Sequence, residues 1–559
     1  MKNKNVIIIA MDQPLDSDAH LKGKMANAER RAARQSSRFP DLDLPGIQKE
    51  VHRNLSNLAL QLGGRSMGLL DLMNYLKNGR RFPHLTRSKA ADYYLFANGF
   101  TLNGVYLYQH LKKAGYDPRV VQNYSLVRLP DILKEKPLAV CISSTFLYLD
   151  DIKKMAAEIK AVDPAIPVIV GGILVKKVLD AGENLAPQTR KWLAGFHGKV
   201  DAFVVETHGE QSLVTLLNTL LEEKDPGLCP NLALFDEKGR MFFTPRKQED
   251  IHMDGTAIFW DSIPRQYLRN TLSVVTSRGC HYRCRFCTYH HWFPKVQYKS
   301  LEVLKDELRR IQNLGFVRHV RFSDDNFTAK RSRLKAVLEM MIQERFDFTW
   351  SSYARANALT PDLVRLMKAS GCDLLVMGIE SGSPAILKNM DKRLDPGQAL
   401  DALRMLKNHD IDSQAAFIVG YPGETEKTFH ETIDFINQSG LKYFHPYLFY
   451  FSKNMLVDRE RETFNLNGLG LAWKHHTMDS VEASYLMSQM IRLIDQGFTD
   501  GQQNTWETYK LLRGEGYSRE EIHRLHKLKR RLQLTVQAAD RERLNHTANI
   551  LKDLESIIK

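Results

Sequence analysis

The chain has 559 residues, enough for about three domains, and 43% of them are hydrophobic, as in ordinary globular proteins. No apolar run approaches the ~20 residues that a membrane-spanning helix requires, so we expect no transmembrane segment. Six cysteines are too few for a disulfide framework and fit a reducing cytoplasm. The formal net charge of +14 admits nucleic acid, a membrane surface or an acidic small molecule as partner. However, the basic stretch 523–531 carries leucines at helical spacing, which favours a solvated helix face over a nucleic-acid surface.

Residues 1–225 have the pattern of a doubly wound α/β domain. Strands are predicted at 6–10, 118–122, 138–143, 167–171 and 202–205, and helices at 103–114, 149–161 and 212–222. Five strands alternating with helices predict a parallel, flavodoxin-like sheet whose ligands lie at the carboxyl ends of the strands. Two of these ends carry Ser143-Ser144-Thr145 and Gly171-Gly172. No G-x-G-x-x-G follows the first strand, which argues against a dinucleotide site.

An insertion at about 24–97 separates the first strand from the next predicted helix. Helices are predicted within it at 26–36, 47–62 and 69–78, and we expect them to cover a ligand or a substrate. A linker at 226–265 then leads to a second domain.

Three cysteines lie in one short segment with the spacing C-x3-C-x2-C, namely Cys280, Cys284 and Cys287. Three thiolates can hold three irons of a [4Fe–4S] cluster and leave the fourth iron open for chemistry. A zinc site is the alternative, because His281, His290 or His291 could supply a fourth ligand. The remaining cysteines are scattered and are interpreted as inert thiols: Cys141, Cys229 and Cys372.

After the cysteine segment the chain again alternates strands and helices. Strands are predicted at 273–275, 317–322, 346–351, 374–379, 413–419 and 443–451, with a helix in each interval. Six β/α steps predict a partial (β/α)6 TIM barrel over residues 266–452, with its chemistry at the carboxyl ends of the strands. Polar or glycine-rich segments follow four of these ends, at 323–327, 355, 380–382 and 420–425.

The cysteine spacing and these strand-end residues together resemble the radical SAM superfamily. In that family S-adenosylmethionine (SAM) chelates the open iron and is cleaved reductively to a 5′-deoxyadenosyl radical. The resemblance makes the three cysteines the catalytic cluster ligands, and it implies that Asp324 and Asp325 meet the amino group of SAM and that Arg355 meets its carboxylate. Further implied contacts are Glu380 and Ser381 to the ribose and Gly420 and Phe286 to the adenine.

The N-terminal domain resembles the cobalamin-binding domain that precedes the barrel in cobalamin-dependent radical SAM enzymes. The cobalamin contacts implied by this resemblance are Ser143, Ser144, Thr145, Gly171, Gly172, Glu206 and Gly209. Asp18-Ala-His20-Leu-Lys-Gly23 also fits D-x-H-x-x-G, the signature of a different cobalamin family, in which the histidine ligates cobalt and the aspartate orients it. Many radical SAM relatives keep cobalt without a histidine, so a site with His20 and a site without it both stay open.

Residues 453–559 are predicted to form a helical C-terminal domain. Within it, Trp473, His475 and His476 form a polar-aromatic cluster. The cluster could reach over the barrel mouth and bind substrate, or it could be a helix start that packs against the barrel.

These patterns predict a cobalamin-dependent radical SAM C-methyltransferase. We expect it to act on an unactivated carbon of a small-molecule or natural-product substrate, with flavodoxin or ferredoxin as electron donor. Cyclisation or rearrangement with the same cofactors is one alternative, and radical SAM modification of RNA or protein is another. A non-catalytic cobalamin or iron–sulfur sensor is a third, but the near-complete set of SAM-binding positions argues against it.

Overall fold

A computed structural model describes residues 3–12, 23, 25–26, 28–29, 33, 39, 41–81, 92–95, 98, 102–249, 252–501, 504–537 and 543–559. The chain divides into two compact units. The first comprises Met1–Leu15 and Leu85–Arg269, and the second comprises Asp16–His84 and Asn270–Lys559. No helix in the described part of the chain is long and apolar enough to cross a membrane.

The first unit is built on a seven-stranded sheet. Its strands are β1 (Asn5–Ile9), β2 (Asp117–Val121), β3 (Ala139–Ser143), β4 (Val168–Gly171), β5 (Ala202–Val204), β6 (Leu232–Phe235) and β7 (Met241–Phe243). Strands β1 to β5 are parallel in the order 2-1-3-4-5, which is the flavodoxin-like order that the sequence predicts. The antiparallel strands β6 and β7 extend the sheet within the segment expected to be a linker.

Helices cover both faces of this sheet. They are Leu102–Lys113, Leu129–Leu133, Leu149–Val162, Ile173–Leu179, Pro187–Leu193 and Glu210–Leu221. Because both faces are covered, the central strands are apolar throughout rather than alternating. All five residues of β3 are buried, for example, and so is β1 from Val6 to Ile9.

The second unit contains a six-stranded parallel sheet. Its strands are β8 (Thr271–Val274), β9 (His319–Phe322), β10 (Thr349–Ala354), β11 (Cys372–Glu380), β12 (Asp412–Val419) and β13 (Tyr443–Leu448), paired in chain order. The helices between successive strands include Leu301–Asn313, Arg331–Glu344, Pro361–Ala369, Pro384–Asn389, Pro396–Asn408 and Glu426–Ser439. This is the partial barrel that the sequence predicts, since strands 8 to 13 pair only with their neighbours in the chain.

The helix Thr505–Gly514 packs against the inner side of the barrel and contacts β8, β9 and β13. Nearly every residue of this helix is buried. The Trp506 indole donates to the Ser351 hydroxyl at 2.8 Å, and the Thr271 hydroxyl donates to the Lys510 carbonyl at 2.8 Å. The helix is therefore bound to the inner face of the barrel from strand to strand.

Part of the predicted insertion packs on the C-terminal helices of this unit. The helix Leu44–Ser56 lies against the helix Ser480–Leu493, where the Asn54 amide donates to the Ser484 hydroxyl at 2.9 Å. The helix Leu69–Lys77 begins with a backbone N–H bound to the buried Asp500 carboxylate at 3.2 Å. The helices Arg519–Gln537 and Arg543–Glu555 complete the region.

Arg519 fastens the C-terminal helix that it begins to the amino ends of the barrel strands. Its guanidinium lies 2.9 Å from the Asp412 carboxylate, which is 2% exposed, and 2.8 Å from Asp410. His523, one turn further along the helix, lies 2.7 Å from the same Asp412 carboxylate. Part of the basic stretch 523–531 thus holds the helix to the barrel through ionic contacts. The basic residues of this stretch that are exposed are Arg524, Lys527 and Arg531.

Candidate active site

The three clustered cysteines lie on the loop that follows β8. All three are free thiols, with Cys284 buried and Cys280 and Cys287 partly accessible. A backbone hydrogen bond from Cys287 to the Cys284 carbonyl closes the turn between them at 3.0 Å. Gly279 precedes the first cysteine at φ +94°, and a Cβ there would lie 2.5 Å from the Lys295 carbonyl oxygen. This position requires glycine because the loop crosses the returning chain at close range.

Two aspartates at the carboxyl end of β9 hold the start of this loop. Asp324 is buried and accepts hydrogen bonds from the backbone and hydroxyl of Thr276, at 2.7 and 2.6 Å, and from the Ser277 hydroxyl at 2.6 Å. Asp325 accepts from the Gly279 backbone at 2.7 Å and from the Tyr289 hydroxyl. Burial raises the pKa of both carboxyls, that of Asp325 to about 6. As placed, these carboxylates fix the loop, so the contact to SAM implied for them stays a prediction.

Arg355 places a buried cation beside the thiols. It follows β10, and its Nη1 lies 3.8 Å from Cys284 Sγ. The guanidinium lies 3.6 Å from the centre of the Tyr282 ring, and its second arm donates to the Lys392 carbonyl. Asn326 adds a weak donor, because its Nδ2 lies 3.9 Å from Cys280 Sγ. Burial raises the pKa of the Cys287 thiol to about 11, so in this protein environment a thiolate needs a cationic partner.

Lys392 is a second buried cation at the same place. Its ammonium pairs with the Glu380 carboxylate at 2.9 Å and lies 5.5 Å from the centre of the Phe286 ring, next to Cys287. Glu380 has φ +74° at the end of β11, where the pairing with β12 shifts register. A non-glycine residue in this region costs about 1–3 kcal/mol, and such strain is concentrated at functional sites. The fold therefore brings Glu380, Lys392 and Phe286 together. The sequence analysis named Glu380 and Phe286 but gave no signal for Lys392.

Ser381 is fully buried and is used within the protein. Its hydroxyl lies 3.1 Å from the Thr432 hydroxyl and accepts from the Ser383 backbone at 3.1 Å. Its implied contact to the SAM ribose stays a prediction.

Gly420 forms a tight turn at the carboxyl end of β12. Its φ is +84°, and a Cβ would lie 2.4 Å from the Trp473 ring and 2.7 Å from Ala483. The Gly420 N–H donates to the carboxyl of Glu424, which is wholly buried, and burial raises the pKa of Glu424 to about 8. The Gly420 carbonyl faces His475 Nε2 at 3.3 Å. The turn is thus held from both sides by groups of the protein.

The C-terminal polar-aromatic cluster lies beneath this turn. Trp473 is fully buried, its indole donates to the Phe449 carbonyl at 2.7 Å, and its ring stacks on His475 at 5.3 Å between centres. Burial lowers the pKa of His475 to about 4. His476 Nδ1 lies 2.9 Å from the Phe464 carbonyl. These residues pack within the protein, as one of the two alternatives had it, but they do not start a helix. Trp473 lies in the short strand Ala472–Lys474, and the next helix begins at Ser480. A substrate contact from the cluster stays a prediction.

In the first unit, the carboxyl ends of β3 and β4 bring a hydroxyl loop against a glycine turn. The Ser144 hydroxyl accepts from the Val175 backbone at 3.2 Å, and the Ser143 and Thr145 hydroxyls lie 3.1 Å apart. Gly172 has φ +102°, and a Cβ there would lie 3.0 Å from the Ser144 hydroxyl. Asn103 also joins this edge, because its Nδ2 donates to the Ala10 carbonyl at 3.0 Å and to Ser143 at 3.3 Å.

Two further predicted residues follow β5. Glu206 accepts from the Thr207 backbone at 2.6 Å and lies 3.9 Å from the Lys176 ammonium. Gly209 is the N-cap of the helix Glu210–Leu221, and a Cβ there would lie 2.6 Å from Val204. Seven of the predicted cobalamin contacts thus lie at the ends of β3, β4 and β5. His20 lies outside the described residues.

The donor set of the barrel loop fits an iron–sulfur cluster. Within the described ranges, no three His, Cys, Asp or Glu side chains converge as one metal ion would require. In a cluster each thiolate binds a different iron, so its ligands need not converge on one point. Three free thiols on one loop, with two buried cations beside them, offer such ligands.

Comparison with known proteins agrees with this geometry. The Radical SAM superfamily matches residues 274–436. An uncharacterized methyltransferase of Pyrococcus horikoshii is 32% identical over 171 residues, which are 30% of this chain and 37% of that protein. The bacteriochlorophyllide d C-12(1)-methyltransferase of Chlorobaculum tepidum is 32% identical over 177 residues, which are 31% of this chain and 38% of that protein. The chain therefore spans less than two fifths of the length of these curated relatives.

A solved structure extends the likeness to both units. The radical S-adenosylmethionine methyltransferase TsrM from Kitasatospora setae, described with cobalamin and a [4Fe–4S] cluster bound, superposes with a TM-score of 0.56 at 16% identity. The match covers 76% of this chain and 95% of TsrM.

Residues 274–436 therefore form a radical SAM domain. A flavodoxin-like sheet followed by a partial barrel is the fold that the chain shares with TsrM. The resemblance inferred from the sequence is therefore confirmed for the domain and for the fold.

Proposed function

We propose that this protein is a cobalamin-dependent radical SAM enzyme that methylates an unactivated carbon of a small-molecule or natural-product substrate. The observation that carries the proposal is the loop of three free cysteines, bound to the carboxyl ends of β9 and β10 in a radical SAM domain. When bound, a [4Fe–4S] cluster supplies the electron that cleaves SAM to a 5′-deoxyadenosyl radical, and methylcobalamin supplies a methyl group. The named methyltransferases among the relatives support methyl transfer as the outcome.

The protein's own part in the barrel is to hold and screen. Cys280, Cys284 and Cys287 are the cluster ligands, and Asp324 and Asp325 keep their loop in place through backbone and hydroxyl donors. Arg355 and Lys392 offset the negative charge of thiolates in a buried setting, where an unpaired charge is costly.

The SAM site extends from this loop along the strand ends. Phe286, Glu380 and the Gly420 turn supply an aromatic face, a carboxylate and a tight backbone turn in that order. We assign the ribose to the Glu380 end and the adenine to Phe286 and Gly420, as the family resemblance implies.

The cobalamin site is assigned to the first unit. Ser143, Thr145 and Asn103 place hydroxyl and amide groups at one edge of its sheet, and the Gly171-Gly172 turn packs closely against the same loop. Ligands of doubly wound sheets bind at this edge. We further propose a flavodoxin- or ferredoxin-type electron donor, because the cluster must be reduced before SAM is cleaved.

The test is anaerobic expression with cobalamin supplied, followed by iron, sulfide and corrinoid analysis and an assay for 5′-deoxyadenosine. We expect one cluster and one corrinoid per chain. Replacing Cys280, Cys284 and Cys287 together by Ala should abolish iron binding and SAM cleavage. The matched control replaces the three buried cysteines outside the loop, Cys141, Cys229 and Cys372, and should retain both. Iron retained by the loop variant, or a cluster without corrinoid in the unmodified protein, would contradict the corresponding half of the proposal.

A further inference from the structure

The inward-facing side chains of the barrel differ in burial along the length of the strands. Toward the amino ends of the strands the inward side chains are buried, among them His319, Ser351, Gln414 and His445. Two residues further along the same strands, on the same face, the side chains keep accessible surface: Arg321, Tyr353, Ala416 and Tyr447. The barrel interior is thus filled by side chains toward the amino ends of the strands and forms a recess toward their carboxyl ends.

The floor of the recess comes from the helix Thr505–Gly514. Trp506 is fully buried under two side chains of the strands. The Arg321 guanidinium lies 4.0 Å from the centre of its ring, and the Tyr353 ring meets it edge-on, 4.5 Å between centres at 79°. Arg321 also pairs with Glu507 on the same helix. The floor is therefore an ordered layer of planar groups in contact with one another.

The walls are aromatic on two sides and small between them. Tyr353 lies on β10 and Tyr447 on β13, and the two strands between them contribute Gly378 and Ala416, which face each other in the sheet register. Tyr447 is 43% exposed, yet burial raises its pKa, as it does that of Tyr353. A side chain that is both accessible and surrounded by protein lines a concavity.

One end of the recess adjoins the cysteine loop. A Cβ built on Gly378 would lie 2.3 Å from the Glu380 carboxylate and 3.0 Å from the Lys392 ammonium. This ion pair is the one that contacts Phe286, immediately before Cys287. A ligand in the recess would therefore lie next to the groups that hold the cluster.

We propose that this recess binds a planar aromatic ring of the substrate, between Tyr353 and Tyr447 and over Gly378 and Ala416. Aromatic walls favour a ring through offset or edge-on contacts, and the glycine and alanine leave a gap with no branched side chain in it. The inference rests on the proposed function, because it makes the ring part of the molecule that is methylated.

The experiment measures binding of two ring probes, indole and 2-naphthoate, to the full chain by ligand-observed NMR and equilibrium dialysis. The non-planar control is cyclohexanecarboxylate. We expect both rings to bind more tightly than the control. Tyr447→Leu should weaken ring binding about two- to tenfold, the worth of one aromatic contact, while Tyr485→Leu, at a tyrosine 56% exposed on the helix Ser480–Leu493, should change nothing. Ala416→Leu keeps both tyrosines but fills the gap and should abolish ring binding.

Equal binding of the rings and the control, or ring binding that survives both Tyr447→Leu and Ala416→Leu, would overturn the inference. The same protein samples are assayed for iron and for SAM cleavage. If the unmodified protein holds no iron or does not cleave SAM, the proposed function is contradicted. The ring-binding result, by contrast, tests the recess alone. Displacement of the probes by SAM would assign the recess to the adenine and likewise overturn it.

Discussion

Replacement of Gly420 by alanine tests the strand-end turn most directly. Two costs add at this position. The first is the φ of +84°, which alanine tolerates at about 1–2 kcal/mol. The second is overpacking, because the new Cβ would lie 2.4 Å from the Trp473 ring and 2.7 Å from Ala483. The ring cannot move aside freely, since its indole donates to the Phe449 carbonyl and its face stacks on His475. Overpacking of this kind costs a further ~1–3 kcal/mol.

Gly315 supplies the matched control. Its φ is +72°, close to that of Gly420, but a Cβ there would meet nothing within 4 Å. Gly315→Ala should therefore show the backbone cost without the clash. The difference between the two variants, about 1–3 kcal/mol, corresponds to a 5- to 150-fold change in a local opening equilibrium.

Hydrogen exchange followed by mass spectrometry can measure this difference locally. We expect peptides covering 415–425 and 471–476 to exchange 5- to 150-fold faster in Gly420→Ala, beyond any change that Gly315→Ala produces around its own position. SAM affinity should fall in the same variant if the turn faces the adenine. Equal exchange in the two variants would refute the reasoning that close contact with Trp473 dictates glycine here.

Three further predictions concern charges. Burial raises the pKa of Glu424 to about 8, so its folded form holds a proton that the unfolded form releases near its usual pKa; stability should decline as pH rises toward 8, and Glu424→Gln should flatten that decline in urea titrations. Arg519→Ala should cost about 3–5 kcal/mol, because it leaves the buried Asp412 carboxylate without its guanidinium, whereas Arg404→Ala at an exposed pair should cost under ~1 kcal/mol in the same urea assay. Lys392→Met removes a buried cation beside the cluster ligands and should lower the reduction potential of the cluster, measured by an EPR-monitored redox titration. Each tenfold loss of the reduced form corresponds to 59 mV. A potential equal to that of the control Lys388→Met would contradict this prediction.

Acidification should weaken the Arg519 contacts in a defined direction. Burial alone would raise the pKa of Asp412, but hydrogen bonds from His523 and Arg519 bring it below its usual value. Bonds from Arg519 and Lys368 likewise lower the pKa of Asp410 to about 2. This stabilisation is present above the usual carboxyl pKa and is lost as pH falls from about 4 toward 2.

The sequence predicted both sheets because their signals are local. Buried parallel strands such as β1 and β3 are short apolar runs, and the first five barrel strands each precede a helix with its own apolar face. The flavodoxin-like order and the six-step barrel followed from that alternation. The hairpin β6–β7 was missed because it stands outside this alternation, with no helix between its two antiparallel strands. The helix predicted at 47–62 ends at Ser56, where a hairpin turning at Gly63-Gly64 begins a new element.

The candidate site was predicted where residues follow a strand end and missed where they do not. Asp324, Arg355 and Glu380 all stand at such ends. Lys392 follows the short helix Pro384–Asn389, and only the folded chain brings its ammonium to Glu380. Asn103 begins a helix distant in sequence from the Ser143 loop that it joins. Trp473 is of a residue type that often binds ligands, which is why the sequence suggested a substrate contact. Its ring is instead buried against the Gly420 turn, and sequence spacing does not reveal that contact.

The helix Thr505–Gly514 sets the order in which the barrel can be completed. The hydrogen bond from Thr271 to Lys510 joins residues 239 positions apart. During synthesis, all six strands emerge before the segment that packs against their inner side chains. Contacts of such long range form late and slowly. The inward side chains that this helix covers, among them Ser351 and Tyr353 in contact with Trp506, therefore stay uncovered until the last part of the barrel unit has been made.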